Sequence, residues 1–194
     1  MAFSIPDVNL VSLLPEIVLL AAAAGILLFS GEAGHRRAAA CAAAAVAASL
    51  ASIPLLFSGV GMSGFDGLIV KDDVTLIFLA LMDLAALAAI LLSRDGTAGE
   101  QEGGEVYGLA LFALIGMHVM AASRDLLVLF LGLETLALPL YVLVGSNRMS
   151  RDGMEAAVKY FLLGSFASAL FLLGLALYYG ATGTTGFSAL SHSL

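Results

Sequence analysis

The sequence predicts an all-α fold, a polytopic transmembrane helix bundle with six spans, on three observations. Hydrophobic residues make up 61% of the 194-residue chain against 12% charged, with a mean hydropathy of +1.04, values far from those of a soluble domain. The apolar residues gather into runs near the ~20 residues that cross a bilayer as a helix. Short polar and charged stretches punctuate those runs, as loops between spans do.

Taken in order, the runs place helices over about residues 10–30, 37–58, 74–93, 106–123, 126–145 and 155–180 in a single membrane domain, 1–194. No Lys or Arg precedes the first run, so it reads as a retained helix rather than a cleaved signal peptide. The second, RAAACAAAAVAASLASIPLLF, is rich in alanine, which partitions weakly into hydrocarbon. Ser123, Arg124 and Asp125 alone separate the fourth run from the fifth, which requires a tight antiparallel hairpin with Asp125 as cap of the fifth helix. Asp152 followed three residues later by Glu155 has the spacing of a capping box opening the sixth. Gly164 and Ser168 on that helix give it a small-residue face for close packing, and the GATGTTG stretch from Gly180 reads as an exposed turn.

Arg36, Arg37, Arg94, Arg148 and Arg151 follow the first, third and fifth runs, against Lys71 and Arg124 in the opposite loops. The bias places the odd-numbered loops in the cytoplasm and the N-terminus on the outer side. The net charge of −7 comes largely from loop acids such as Asp72, Asp73, Glu100, Glu102 and Glu105, which read as solvated helix ends. A single cysteine, Cys41, leaves no intrachain disulfide or cysteine metal cluster. There is no nucleotide-binding glycine loop, metal-spaced histidine pair or nucleophile elbow, so chemistry on this chain is expected to be movement of protons or ions.

Four ionisable residues fall inside apolar runs: Asp83, His118, Glu134 and Lys159. Glu134 is the most informative, lying ~12 Å from one end of LLVLFLGLETLALPLYVLVG by helix rise. An acidic side chain at that depth costs about 2.5–3.5 kcal/mol, so it should face a bundle interior, a partner or water. Pro139 frees the carbonyl of Thr135 and Gly132 permits close approach, so water or another helix has access to the site. A protonated carboxyl bonded to a carbonyl is the alternative. Lys159 reads either as a desolvated proton donor toward Glu134, ~10 Å away in depth, or as a snorkelling partner of Glu155. Hairpin geometry puts His118 within ~5 Å of Glu134 in depth. It is thus a candidate lateral neighbour and shuttle, or else a neutral core histidine. Asp83 is open equally to function and to structural pairing. Glu16, after Pro15, reads as a helix-start acid near an interface.

EVYGLALFALIGMHVMAASRDLLVLFLGLETLALPLYVL and EAAVKYFLLGSFASALFLLGLALYYGATGTT resemble the antiporter-like membrane subunits of NADH:quinone oxidoreductase (respiratory complex I). The LGLE…LPLY and KYFLLG elements are nearest to subunit N. The resemblance implies a proton-translocating translocase subunit, coupled to electron transfer from NADH to quinone, in a bacterial inner membrane. It implies no cofactor on this chain, the NADH, flavin, iron–sulfur clusters and quinone acting elsewhere. Its implied partners are other membrane subunits of the complex, the lipid bilayer and, indirectly, the quinone pool, with no nucleic acid. It assigns Glu134 to a proton half-channel and makes Lys159 a further ionisable position, while Asp83 and His118 rest on sequence physics alone. The family's fold continues into a second inverted repeat, with the lysine that partners this glutamate on a helix beyond these six. A cation/proton antiporter or ion-pumping hydrogenase subunit, or a non-transporting membrane fragment, are the competing expectations.

Overall fold

The computed structural model describes residues 9–29, 34–57, 62–94, 103–146 and 151–188. Six helices form within them: α1 (Leu14–Phe29), α2 (His35–Phe57), α3 (Asp73–Arg94), α4 (Glu105–Ala122), α5 (Leu126–Val144) and α6 (Arg151–Thr182). Arg148 and the acids Glu100 and Glu102 lie outside the described residues. Five of the helices, α2 to α6, are long and apolar enough to cross a membrane. α1 differs from expectation: at 16 residues it rises only ~24 Å, because residues before Leu14 turn rather than continue the helix.

An antiparallel hairpin between α2 and α3, β1 (Met62–Gly64) and β2 (Ile69–Lys71), was not expected from the sequence. Strands of three residues are too short for an alternation signal. Phe65 and Asp66 in its turn both have left-handed backbones, φ 53° and 54°, an uncommon conformation for residues with a side chain. The Ser123–Asp125 turn joins the hairpin through the Ile69–Ser123 bridge and through Arg124 N–H donating to the Leu68 carbonyl at 2.8 Å. Arg124 also pairs with Asp72.

Asp125 caps α5 as expected, its carboxylate accepting from Leu127 N–H at 2.8 Å and from the Thr185 hydroxyl. Residues 185–187 are therefore tied back to the start of α5. Gly183, at φ 72°, ends the helix in the left-handed region that favours glycine, and Thr185 and Gly186 return to the start of α5.

α1 to α4 form the core. Leu19, Ala23, Ala42, Val46, Leu111 and Leu114 are buried in one cluster, so the alanine-rich α2 supplies small side chains that let α1 and α4 approach. At Gly108 a β-carbon would meet Leu27 Cγ at 2.8 Å. α4 and α5 touch backbone to backbone. A β-carbon on Gly116 would lie 2.4 Å from the Leu136 nitrogen, and one on Gly132 would lie 2.8 Å from the Met120 nitrogen. α6 leans on α5 through Tyr141, which meets Tyr160 and Phe161 edge-on, and through Phe130 stacked on Phe171. Leu162, Leu163, Phe166, Leu173 and Leu177 of α6 remain exposed.

Candidate functional site

The ionisable residues within the apolar runs, with the groups that meet them, lie in two places. The first is on α5 and α6. Glu134 lies eight residues into α5, is half-buried, and accepts a hydrogen bond from the Ser168 hydroxyl of α6. Pro139, buried five residues on, leaves the Thr135 carbonyl without its helical N–H donor. The Thr135 hydroxyl bonds back to the Leu131 carbonyl at 2.7 Å. Gly164, one turn before Ser168, gives way to Tyr141, whose hydroxyl stands where its β-carbon would be. Among the described residues no cationic side chain reaches Glu134 within ion-pair distance.

Lys159 is not desolvated in this chain. Its side chain is 69% exposed and pairs with Glu155 one turn earlier. That is the i, i+4 pair weighed as the alternative from the sequence, and it draws Glu155 away from a capping box. Lys159 lies nine residues before Ser168, ~14 Å along the helix, so no direct transfer to Glu134 is possible.

The second place is inside the α1–α4 bundle, and it holds His118. The proposed contact with Glu134 is corrected: the imidazole points away from α5. Its Nδ1 lies 3.6 Å from Glu16 Oε1 on α1 and its Nε2 3.3 Å from Asp83 Oδ1 on α3. The hairpin depth was right and the side of the helix was not. Gly116 and Met120 form the α5-facing side, and a residue two positions from each of them faces the opposite way.

Glu16 and Lys71 also change roles. Lys71 ends β2 and curls inward to donate to both Glu16 oxygens at 2.7 Å, with its side chain 1% exposed. Burial pushes the Lys71 amine below the usual lysine value, and the adjacent Glu16 carboxylate opposes that. Asp83 is fully buried and accepts from the Ser49 hydroxyl at 2.8 Å. Neither Glu16 nor Lys71 was foreseen as part of a site, since one was read as a helix start and the other as a loop cation. No group of His, Cys, Asp or Glu among the described residues is arranged to hold a metal ion.

A family model described as NADH:quinone oxidoreductase/Mrp antiporter, TM, matches residues 123–194. The chain is 44% identical over 128 residues to NADH-quinone oxidoreductase subunit N of Trichlorobacter lovleyi, covering 66% of this chain and 26% of that one. It is 40% identical over 196 residues to subunit N of Halorhodospira halophila, covering 98% and 40%. The chain is thus similar to subunit N over nearly its whole length. It spans between about a quarter and two fifths of the length of these relatives.

Among solved structures, a chain of respiratory complex I from Thermus thermophilus with bound Aureothin superposes with a TM-score of 0.73 at 34% identity, over 89% of this chain and 38% of that one. A chain of the Mrp complex from Dietzia superposes with 0.66 at 25% identity, over 92% and 36%. A chain of an archaeal membrane-bound sulfane sulfur reductase, at 21% identity and TM-score 0.74 over 94% and 39%, shares the fold. Its apolar helices make the chain a multi-pass membrane protein, and the all-α bundle read from the sequence is its architecture.

Proposed function

We propose that this chain is part of a proton-translocating membrane subunit of NADH:quinone oxidoreductase, with Glu134 its proton-carrying group. The observation that carries this reading is a carboxyl group half-buried in the middle of an apolar helix, beside a proline break, tied to a hydroxyl and to no cation among the described residues. A carboxyl so placed exchanges a proton when water or a cation reaches its open side. The 34% identity with a complex I chain and the subunit N relatives support the same reading. Lys159, an exposed ammonium on the same helix pair, would serve it from a distance through water. Other membrane subunits of the complex would cover the exposed face of α6. The redox groups of the complex and its quinone belong to those other subunits.

The orientation proposed has the N-terminus outside, in a bacterial inner membrane. Burial of Lys71 strengthens the charge bias behind it, since only Arg124, paired with Asp72, remains as an exposed described cation at the hairpin end. A second reading, a cation/proton antiporter subunit, is favoured by the Mrp antiporter in the family description and by the Dietzia match. The two readings separate by sodium dependence of transport.

The decisive test is Glu134→Gln in the assembled complex. Proton pumping should fall roughly tenfold or more, as expected for loss of a proton-transfer group, with coupled quinone reduction falling alongside it. Unchanged pumping and unchanged reductase activity would remove Glu134 from this role.

A further inference from the structure

Glu134 leaves a second set of buried charges without a use. Lys71, Glu16, His118, Asp83 and Ser49 form one row through β2, α1, α4, α3 and α2. The row starts at Glu16 in the first turn of α1 beside the hairpin. It ends at Asp83 and Ser49, ten and eight residues from the hairpin ends of their helices, or ~12–15 Å deep by helix rise. That is about the middle of a hydrocarbon core ~30 Å thick.

His118 decides what the row holds. Both ring nitrogens face a carboxylate oxygen, and the ring is completely buried. A neutral imidazole has one N–H and one lone pair, so in that state one nitrogen would turn its lone pair on an anion. Two N–H groups would each face an acceptor, although at 3.6 and 3.3 Å neither ring nitrogen, nor Asp83 Oδ1, closes a hydrogen bond as placed. The charge count agrees, because an imidazolium and the Lys71 ammonium balance Glu16 and Asp83 to zero, whereas a neutral ring leaves a net buried charge of −1.

Exposure gives the direction of access. Glu16 has an 11% exposed side chain, while Asp83, His118 and Ser49 are all at 0%. The hydroxyl of Ser52, next on α2, turns to the Ser49 carbonyl at 2.6 Å and ends the row. We propose that Glu16, His118 and Asp83 form a proton-binding site, separate from Glu134, that loads at Glu16 from the hairpin end and is blind at Ser49. In loading, a Glu16 oxygen takes a proton from hydronium, releasing water, and passes it to the bare Nδ1 of a neutral ring whose Nε2 carries the N–H. The imidazolium so formed keeps its Nε2 proton facing the Asp83 carboxylate and is the loaded state, and no other bond is made or broken. Unloading reverses these steps, since the site has one mouth.

The test uses the 194-residue chain with ¹⁵N-labelled histidine in lipid nanodiscs, the His118 ring signals being those lost in His118→Gln. At pH 7 both His118 ring nitrogens should carry protons, and Asp83→Asn should leave one nitrogen bare. Exchange of the ring N–H protons with deuterated water should slow about tenfold or more in Glu16→Gln, the loss expected for a proton-transfer group. Glu16→Asp, which keeps a carboxylate but draws it back from Nδ1, should exchange faster than Glu16→Gln, and Ser49→Ala and Glu134→Gln should exchange at the wild-type rate. A bare His118 nitrogen in the wild-type chain, or a ring that stays doubly protonated in Asp83→Asn, would overturn the proposal. So would exchange at an unchanged rate in Glu16→Gln, or slowing in Ser49→Ala as large as that in Glu16→Gln. If Glu16→Gln does not fold, Asp83→Asn decides the matter. The Glu134→Gln arm keeps this site distinct from the proposed pumping role.

Discussion

Asp83 and Glu134 lie at nearly the same depth from the hairpin end, ~15 and ~12 Å by helix rise, in very different company. Asp83 is fully buried, with Ser49 and His118 on it and Lys71 two side chains away. Glu134 is half-exposed on α5, with one serine from α6. The α1–α4 bundle thus carries its counter-charges within itself, and the α5–α6 pair leaves its acid available to something outside. An acid neutralised in place holds a structure together. One left half-covered in an apolar helix has to be completed by a neighbour or by water, and that is where transport chemistry is to be expected.

Lys71→Met breaks the comparison most directly, by leaving Glu16 buried without its ammonium. Loss of one partner from a buried pair costs about 3–5 kcal/mol, so the variant should unfold at markedly lower denaturant in bicelles, whereas Lys71→Met with Glu16→Leu should regain much of that stability. Next comes the seam between the two regions. Gly132→Ala drives a methyl into the α4 backbone at Met120, a strain of about 1–3 kcal/mol, which a lowered thermal midpoint would register. On the α5–α6 side the expected changes are small. Lys159→Ala removes an exposed i, i+4 pair worth about 0.3–0.5 kcal/mol, so the unfolding midpoint should barely move. A large loss would mean that α6 depends on Lys159 in a way its exposure does not suggest.

Acid also acts on the loop layer, through Asp72. The hydroxyl and backbone N–H of Thr75, followed by Arg124, hold the Asp72 carboxyl below its usual value. A carboxyl depressed on folding contributes stability above its unfolded value, and that contribution is lost as pH falls through the folded one. Amide exchange at Thr75 and Arg124 should therefore rise below the ordinary carboxylate range, and Asp72→Asn should show the faster exchange already at neutral pH.

The helices were legible because hydrocarbon thickness fixes their length, and the Asp125 cap because a three-residue turn leaves few alternatives. Depth was legible too, which is why Glu134 and His118 were placed at similar heights. Direction around the helix axis was not. Hydrophobicity is nearly uniform around α4, so only the close-packing glycine Gly116 marks the α5 side, and reading it that way would have turned His118 toward α1 and α3. Lys71 was hidden for a different reason: a cation between two spans looks solvated unless the loop folds inward, and the hairpin that folds it has three-residue strands. Among the predicted site residues, Asp83 and His118 come together, while Glu134 and Lys159 share a helix pair without touching.

The length of α6 has a further consequence. Its 32 residues rise ~48 Å, well beyond a hydrocarbon slab ~30 Å thick, and Thr185 moors its C-terminal end to the start of α5. The surplus must emerge at the other end. Counted back from Thr182, Lys159 stands 23 residues away, ~35 Å along the axis, among phospholipid headgroups rather than acyl chains. An ammonium at that height meets phosphates as readily as it meets Glu155, so membrane composition sets the electrostatic surroundings of Lys159. Anionic lipid should hold this end of α6 at the surface, and zwitterionic lipid should let it tilt.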